Sequence, residues 1–226
     1  MPKATPAFTT GNLRILVVDD HRVVAQGLHA LLECEPDFEV VGTAHDGREA
    51  LRMIEEIEPH VVVIDVAMPS LNGIEATTQI VRDHPSVRVV ALSTHAQPRM
   101  VRSMLEAGAM AYVTKDTAGE ELVRALQQVR AGRMFVSSDL TGVAIDGMLS
   151  PADTPASPRS ELGAREREVL QLIAEGLTSG EIASRLYIAS STVDTHRKNL
   201  MRKLEIHSIA GLTKYAIREG ITPLDQ

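Results

Sequence analysis

The chain has 226 residues, 44% hydrophobic and 23% charged, with 23 Lys and Arg against 30 Asp and Glu for a net charge of −7. That length suits two modest domains better than one, and the composition is ordinarily globular rather than fibrous or disordered. A single cysteine, Cys34, excludes an intrachain disulfide framework, and neither a signal-type apolar core near the start nor a run of membrane-spanning length is present.

Residues 1–12 read as a disordered lead-in to a soluble, cytoplasmic protein with no membrane partner. From Leu13 short apolar runs alternate with helix-length amphipathic segments. Leu13–Val18 is a strand. Val23, Val24, Gly27, Leu28, Leu31 and Leu32 recur at helical spacing. Phe38–Gly42 is a short strand, and Ala50, Leu51, Ile54 and Ile57 make a second helical stripe. Val61–Asp65 has the continuous apolar run of a strand buried on both faces and ends in a carboxylate. Ile74–Arg82 is helical. Val87–Leu92 is a strand followed by a helix through Val101, Met104 and Leu105. Met110–Thr114 is the last strand, and Leu122, Val123, Leu126 and Val129 mark the last helix. Five such units predict a flavodoxin-like α/β domain over residues 13–133, a parallel sheet of order 2-1-3-4-5 with its ligand crevice at the switch point between strands one and three.

The informative residues gather at that crevice. Asp19 and Asp20 end the first strand, Asp65 the third, Ser93 the fourth with Thr94 beside it, and Lys115 the fifth, just after Tyr112. An Asp held at a strand end can be a metal ligand, a nucleophile or both. Carboxylates converging on one crevice repel one another, and a hard divalent cation such as Mg²⁺ relieves that cost through oxygen ligands. Lys115 can hold a phosphoryl oxygen as a point charge.

Leu16–His21, Ile64–Pro69, Leu92-Ser93 and Gly108-Ala109 through Lys115 together resemble the receiver domain of two-component response regulators over residues 13–133. The resemblance implies that Asp65 is the phosphoacceptor. Asp20 and Asp65 would then ligate Mg²⁺ directly, Asp19 mainly through water, and the Ala67 carbonyl would complete the shell. Ser93 would be the switch hydroxyl turning toward the aspartyl phosphate, Tyr112 would follow it inward, and Lys115 would pair with the phosphate. The chemistry is coherent without the family: a carboxylate is a reasonable nucleophile when a metal screens the incoming phosphate. The added charge of roughly −1.5 to −2 then draws in a hydroxyl and an ammonium and biases a two-state surface.

Ser138–Leu149 reads as a further short helix within a linker spanning 134–160, whose Pro/Ser/Ala stretch Ser150–Ser160 is the best domain boundary in the chain. Three or four short helices follow over 161–226: Ala164–Glu175 stopped by Gly176, Ser179–Leu186, the longest at Ser190–Leu204, and Ser208–Arg218 ending at Gly220. Two helices joined by a short turn inside a small all-α bundle suggest a helix-turn-helix. Residues 1–150 hold 13 Lys and Arg against 20 Asp and Glu, and residues 159–226 hold 10 against 9. Bulk charge therefore does not announce DNA, and a local basic face must supply the contact. The long helix has one: Val193, Leu200 and Leu204 fall on one line, and Ser191, Thr195, Lys198 and Arg202 on the opposite line, with Asp194 and Asn199 flanking. His196 lies nearer the apolar side.

Leu162–Leu170, Glu181–Ala183 and Ser191–Arg197 resemble the LuxR-type DNA-binding domain, and the two halves together resemble transcription factors of the NarL/FixJ class. Asp194, Thr195 and Lys198 are then the base-facing positions, Arg197, Arg202 and Lys203 the phosphate contacts, and Ser208–Arg218 the dimerisation helix. Two departures bear on affinity. Gly180 stands where that pattern carries a lysine or similar side chain. Ala189 stands where it carries a Ser or Thr helix cap, leaving Ser190 as the substitute.

The resulting expectation is a DNA-binding response regulator, not an enzyme. A sensor histidine kinase phosphorylates it at Asp65, and it binds double-stranded DNA as a homodimer. A Mg²⁺ phosphohydrolase of the haloacid-dehalogenase kind would place a second Asp two residues after Asp65, where Ala67 stands. The remaining alternative is a phosphorylation-independent transcription factor whose first domain serves only for protein interaction. Ala67, two residues after Asp65, offers no polar side chain to orient an attacking water, whereas His95, two residues after Ser93, offers one; loss of phosphate after removal of the donor should take minutes or longer. Complete decay within seconds would contradict this.

Overall fold

The computed structural model describes residues 11–94, 97–140 and 162–222 and contains an α/β unit and a helical unit. In the α/β unit the elements run β1 (Leu13–Val18), α1 (Arg22–Glu33), β2 (Phe38–Ala44), α2 (Gly47–Ile57), β3 (Val61–Asp65), α3 (Gly73–Asp83), β4 (Arg88–Ser93), α4 (Pro98–Glu106), β5 (Ala111–Thr114), α5 (Ala118–Arg130) and β6 (Phe135–Val136). Every strand pairing is parallel, in the order β2-β1-β3-β4-β5-β6. The expected flavodoxin-like order is thus present, with one strand more.

The central position of β3 follows from its composition. All five of its residues are buried, as an uninterrupted Val/Ile run requires when both sheet faces are covered. Period-two alternation sorts the strands. Leu13, Ile15 and Val17 of β1 and Val61 and Val63 of β3 face Ala25, Leu28 and Leu32 of α1 and Leu122, Leu126 and Val129 of α5. Helices α2, α3 and α4 pack in sequence against one another and against the sheet. Each fully buried Val or Leu adds about 1.5–3 kcal/mol to the driving force for folding.

Three elements depart from expectation. The buried line of α1 runs through Ala25, Leu28 and Leu32, whereas Val23 is 81% exposed. Val23 precedes Leu28 by five residues, which places it about 140° round the helix. Strand β2 continues to Ala44 because a register shift opposite Ile15/Leu16 absorbs one residue. The third is β6, inside the segment read as linker: Phe135 N donates to Met110 O at 3.0 Å and Ser137 N to Tyr112 O at 3.0 Å, so the sheet continues past residue 133. Of the helix expected over 138–149, Ser138–Leu140 forms one 3-10 turn with Leu140 buried. Residues 141–149, the stretch 150–160, residues 1–10 and His95 lie outside the described residues.

Glu121 on α5 holds that 3-10 turn in place. Thr117 Oγ1 donates to Glu121 Oε2 at 3.0 Å, and Ser138 N and Oγ donate to Oε1 at 3.2 and 2.8 Å. Burial alone would raise this carboxyl, but the donors from Ser137, Ser138 and Thr117 outweigh it and hold its pKa at about 2.

The helical unit consists of α6 (Ala164–Ala174), α7 (Ser179–Leu186), α8 (Ser190–Leu204) and α9 (Ile209–Arg218). Its core joins Leu162, Val169, Leu170, Ile182, Leu186, Val193, Leu200, Leu212 and Tyr215. Thr178 and Glu181 form a reciprocal capping box at the start of α7, and Ser208 Oγ accepts from Gly211 N at 3.1 Å at the start of α9. Helix α8 has no such support. Ala189 occupies its N-cap without a side-chain hydrogen bond, and Ser190 is already the first helical residue, so it does not substitute as the cap.

Two measurements follow. Ala189→Ser should raise the stability of the helical unit by roughly 0.5–2 kcal/mol in urea denaturation of the full chain; no gain would show that α8 needs no cap. The lowered pKa of Glu121 means its contribution is complete above the ordinary value of 4.5 and is lost as pH falls from there toward about 2. Glu121→Gln should therefore be less stable than the parent at neutral pH, and the difference should shrink across that acid window. A difference independent of pH would contradict the assignment.

Candidate functional site

The C-terminal ends of β1, β3, β4 and β5 lie side by side, because Ile64 pairs with Val18, Asp65 with Leu92 and Ser93 with Thr114. The residues immediately following therefore converge. Asp19 is fully buried and Asp65 is 3% exposed. Lys115 Nζ lies 2.7 Å from Asp19 Oδ2 and 2.7 Å from Asp65 Oδ2, bridging the two. Ala67 N donates to Asp65 Oδ1 at 3.2 Å and His21 N to Asp19 Oδ1 at 2.9 Å. Asp20 is more open, with its Oδ1 3.0 Å from His21 Nδ1.

Burial raises the Asp65 carboxyl above its ordinary range, with the charge of Asp19 adding to the rise, while Lys115 opposes it. For Lys115 burial pulls the other way, but the charges of Asp65 and Asp19 outweigh it and hold the ammonium above its ordinary value. Lys115 therefore stays charged, as a partner for an anion must.

Asp19, Asp20, Asp65 and His21 each present one ligand atom within 4.8 Å of the others. The donor set is dominated by carboxylate oxygens, as Mg²⁺ requires. Asp19 is fully buried, and its Oδ2 meets the Lys115 ammonium at 2.7 Å. A buried acceptor in that condition is suited to a cation. The residues thus fit the metal, which Asp19, Asp20 and Asp65 would hold.

Ser93 and Tyr112 are both buried, at 1% and 0% exposure. The Tyr112 hydroxyl is hydrogen-bonded to Ser93, and burial pushes its pKa up to about 12. Tyr112 thus points inward in this structure.

Helix α3 approaches the end of β3 closely at Gly73. A Cβ on Gly73 would collide with the carbonyl oxygen of Asp65 and sit 2.9 Å from Val66 Cα, while Gly73 N donates to Val66 O at 3.0 Å. Only glycine fits there. Two histidines beside the pocket have no role assigned by the sequence motifs. His21 flanks both Asp19 and Asp20, and His45 Nδ1 lies 3.2 Å from the Asp19 carbonyl. Their position, directly after strands β1 and β2 at the carboxyl edge of the sheet, was the available signal.

On α8 the residues Ser191, Asp194, Thr195, Lys198 and Arg202 are exposed, Arg197 and His196 are half-buried, and Val193 and Leu200 are buried. The polar line therefore faces outward along the helix. Thr195 Oγ1 donates to Ser191 O at 2.8 Å and Arg202 to Asn199 Oδ1 at 3.1 Å. Two contacts could not be foreseen from periodicity. Ser179 Oγ donates to Asp194 Oδ1 at 2.9 Å, fixing that carboxylate from α7. Lys203 Nζ donates to Glu166 Oε2 at 2.7 Å, so this lysine is engaged inside its own domain. Among the described residues no helix is long and apolar enough to cross a membrane.

Comparison with known proteins agrees with both halves. Residues 15–127 match the response regulator receiver domain, and residues 160–216 match the LuxR family of bacterial regulatory proteins. The transcriptional regulatory protein LiaR of Bacillus subtilis is 36% identical over 92% of this chain and 99% of its own. MctR of Rhizobium johnstonii, also a transcriptional regulatory protein, is 38% identical over 92% of this chain and 95% of its own. A structure of two RcsB dimers bound to two parallel DNAs superposes with a TM-score of 0.56 at 26% identity, covering 91% of this chain and 98% of that one. A parallel-sheet domain with an acid–lysine pocket, joined to a helix-turn-helix, defines a two-component response regulator. The chain belongs to the NarL/FixJ family of these regulators and is a LuxR-type DNA-binding transcription regulator.

The Gly73 contact is directly testable. Gly73→Ala should cost about 1–3 kcal/mol in chemical denaturation, as overpacking against fixed backbone does. Gly119→Ala, in α5 with open space around its Cβ, should be neutral or stabilising. Equal behaviour of the two variants would remove the steric argument.

Proposed function

We propose that the protein is a cytoplasmic, phosphorylation-controlled transcription factor. A sensor histidine kinase transfers a phosphoryl group to Asp65, and the marked protein binds double-stranded DNA as a homodimer. The observation that carries this reading is Lys115 Nζ lying 2.7 Å from both Asp19 and Asp65 at the carboxyl edge of the sheet. That arrangement keeps a nucleophilic carboxylate and a counter-charge for the incoming group in one pocket.

In the transfer, an oxygen of Asp65 forms a bond to phosphorus as the bond to the donor imidazole nitrogen breaks. Asp20, Asp65 and the Ala67 carbonyl would hold Mg²⁺ directly and Asp19 mainly through water, and the bound ion would supply the charge screening that lets an anionic donor approach these carboxylates. Phosphorylation turns the Asp65 side chain from one negative charge into a group with several strong acceptor oxygens. Lys115 then exchanges its pairing with the Asp65 carboxylate for pairing with the phosphoryl oxygens. Ser93 donates its hydroxyl to the same group. Tyr112, already inward and bonded to Ser93, reports that movement into the sheet.

The DNA-facing set is the outward line of α8. Asp194, Thr195 and Lys198 face base edges, with Ser191 on the same polar line, and Arg197 and Arg202 face phosphates. Lys203 joins the phosphate contacts on leaving Glu166. The exposed face of α9 is the dimer surface, which gives a two-fold reader for a two-fold DNA site. The relatives' description as transcriptional regulators and the RcsB dimers on DNA support this assignment.

Substituting Asp65→Asn should abolish the mass increase of one phosphoryl group on incubation with acetyl phosphate and Mg²⁺, while leaving basal DNA binding. Undiminished phosphate uptake by that variant would refute the phosphoacceptor.

A further inference from the structure

The residue before Lys115 sits inside a closed ring of hydrogen bonds. Thr114 Oγ1 lies 2.8 Å from Thr117 Oγ1, and Thr117 Oγ1 donates to Glu121 Oε2 at 3.0 Å. On the other side Thr114 N donates to Ser137 Oγ at 3.3 Å, and the Ser137 hydroxyl is itself hydrogen-bonded to Glu121. Thr114 is thus clasped from both sides, and both routes end on one carboxylate. The 3-10 turn between them, Lys115–Thr117, begins with the lysine that bridges Asp19 and Asp65.

The same carboxylate holds the chain that leads out of the domain. Ser138 N and Oγ both donate to Glu121 Oε1, and Ser137 N donates to Tyr112 O at 3.0 Å. The interdomain stretch therefore starts from residues tied to β5 and α5 rather than from the end of α5. Ser137 is fully buried and Glu121 is 8% exposed, so water does not compete freely for these bonds. In such surroundings a fully satisfied polar network is stiff, and removing one member is felt by the others.

We propose that Glu121 is a positioning residue for Lys115, and that its carboxylate links the phosphoryl pocket mechanically to the start of the interdomain linker at Ser137–Ser138. This rests on the reading of Asp65 as the phosphoacceptor. One oxygen of Glu121 serves the Lys115 turn and the other serves the linker. When Lys115 shifts its pairing, Thr114 and Thr117 move with it, and the ring passes the displacement to Ser137 and Ser138. Coupling of this kind is reciprocal: loosening either end loosens the other.

Hydrogen exchange of the full chain, read by mass spectrometry, tests the reciprocity before any phosphate is added. Thr117→Val should raise exchange at 137–140, and Ser138→Ala should raise it at 115–118, each by about fivefold, as expected for loss of one buried hydrogen bond. Glu121→Gln should raise both, and the exposed neighbour Glu120→Gln neither. With acetyl phosphate and Mg²⁺ added, exchange at 137–140 should change in the parent protein and not in Glu121→Gln, whose phosphate uptake should also be slower. The proposal fails if each substitution loosens only its own side, or if Glu121→Gln matches the parent in phosphate uptake and in its response at 137–140. Should the Gln variant not fold, the Thr117 and Ser138 substitutions decide alone. Absence of phosphate uptake by the parent would overturn the Asp65 reading, and the exchange results without phosphate would still judge the link.

Discussion

Two carboxylates and one ammonium, taken almost out of water, set the terms for this molecule. Asp19 and Asp65 are buried at the edge of a parallel sheet, and Lys115 Nζ stands 2.7 Å from each. Without that ammonium the repulsion between the two acids would be uncompensated, because charges in a low-dielectric pocket are costly unless paired. The sheet order brings the three together, and the tight seating of Gly73 against Asp65 keeps the β3–α3 connection where the pairing needs it. The same ammonium thus bears on both carboxylates at once.

Strand β5 joins this pocket to its neighbours. Its residues carry Tyr112, hydrogen-bonded to Ser93, then Thr114, then the turn that starts with Lys115. The added strand β6 lies directly against β5 and leads into the segment that follows. Buried Val193 and Leu200 leave the opposite line of α8 to polar residues, and Ser179 and Glu166 hold Asp194 and Lys203, beside that line, from neighbouring helices.

Features with a strong period were legible before any coordinates. Val61–Asp65 announces a doubly covered strand, and the positions of Asp19, Asp65, Ser93 and Lys115 follow once strand ends are aligned. The line of Ser191, Thr195, Lys198 and Arg202 likewise follows from helical geometry alone. What stayed hidden depends on long-range pairing. Phe135–Val136 is too short to carry an alternating pattern, and it is a strand only because Met110 and Tyr112 offer carbonyls to it. Glu121 reads as an ordinary surface acid of a helix, since its partners at Ser137 and Ser138 lie beyond the helix end. Lys203 reads as a free cation because Glu166 is 37 residues away. Val23 is apolar and falls in the same helical segment as Leu28, but about 140° round the helix from it, so it faces solvent.

The central claim is that the state of the acid pocket governs the grip of the helical reader on DNA. It is tested most directly by the affinity of the full chain for one DNA fragment recovered by genomic footprinting, measured at fixed salt with Mg²⁺ in the presence and absence of acetyl phosphate. Tighter binding that rises in proportion to the phosphorylated fraction is the predicted result. The same affinity in both conditions, with the protein demonstrably phosphorylated, would contradict it.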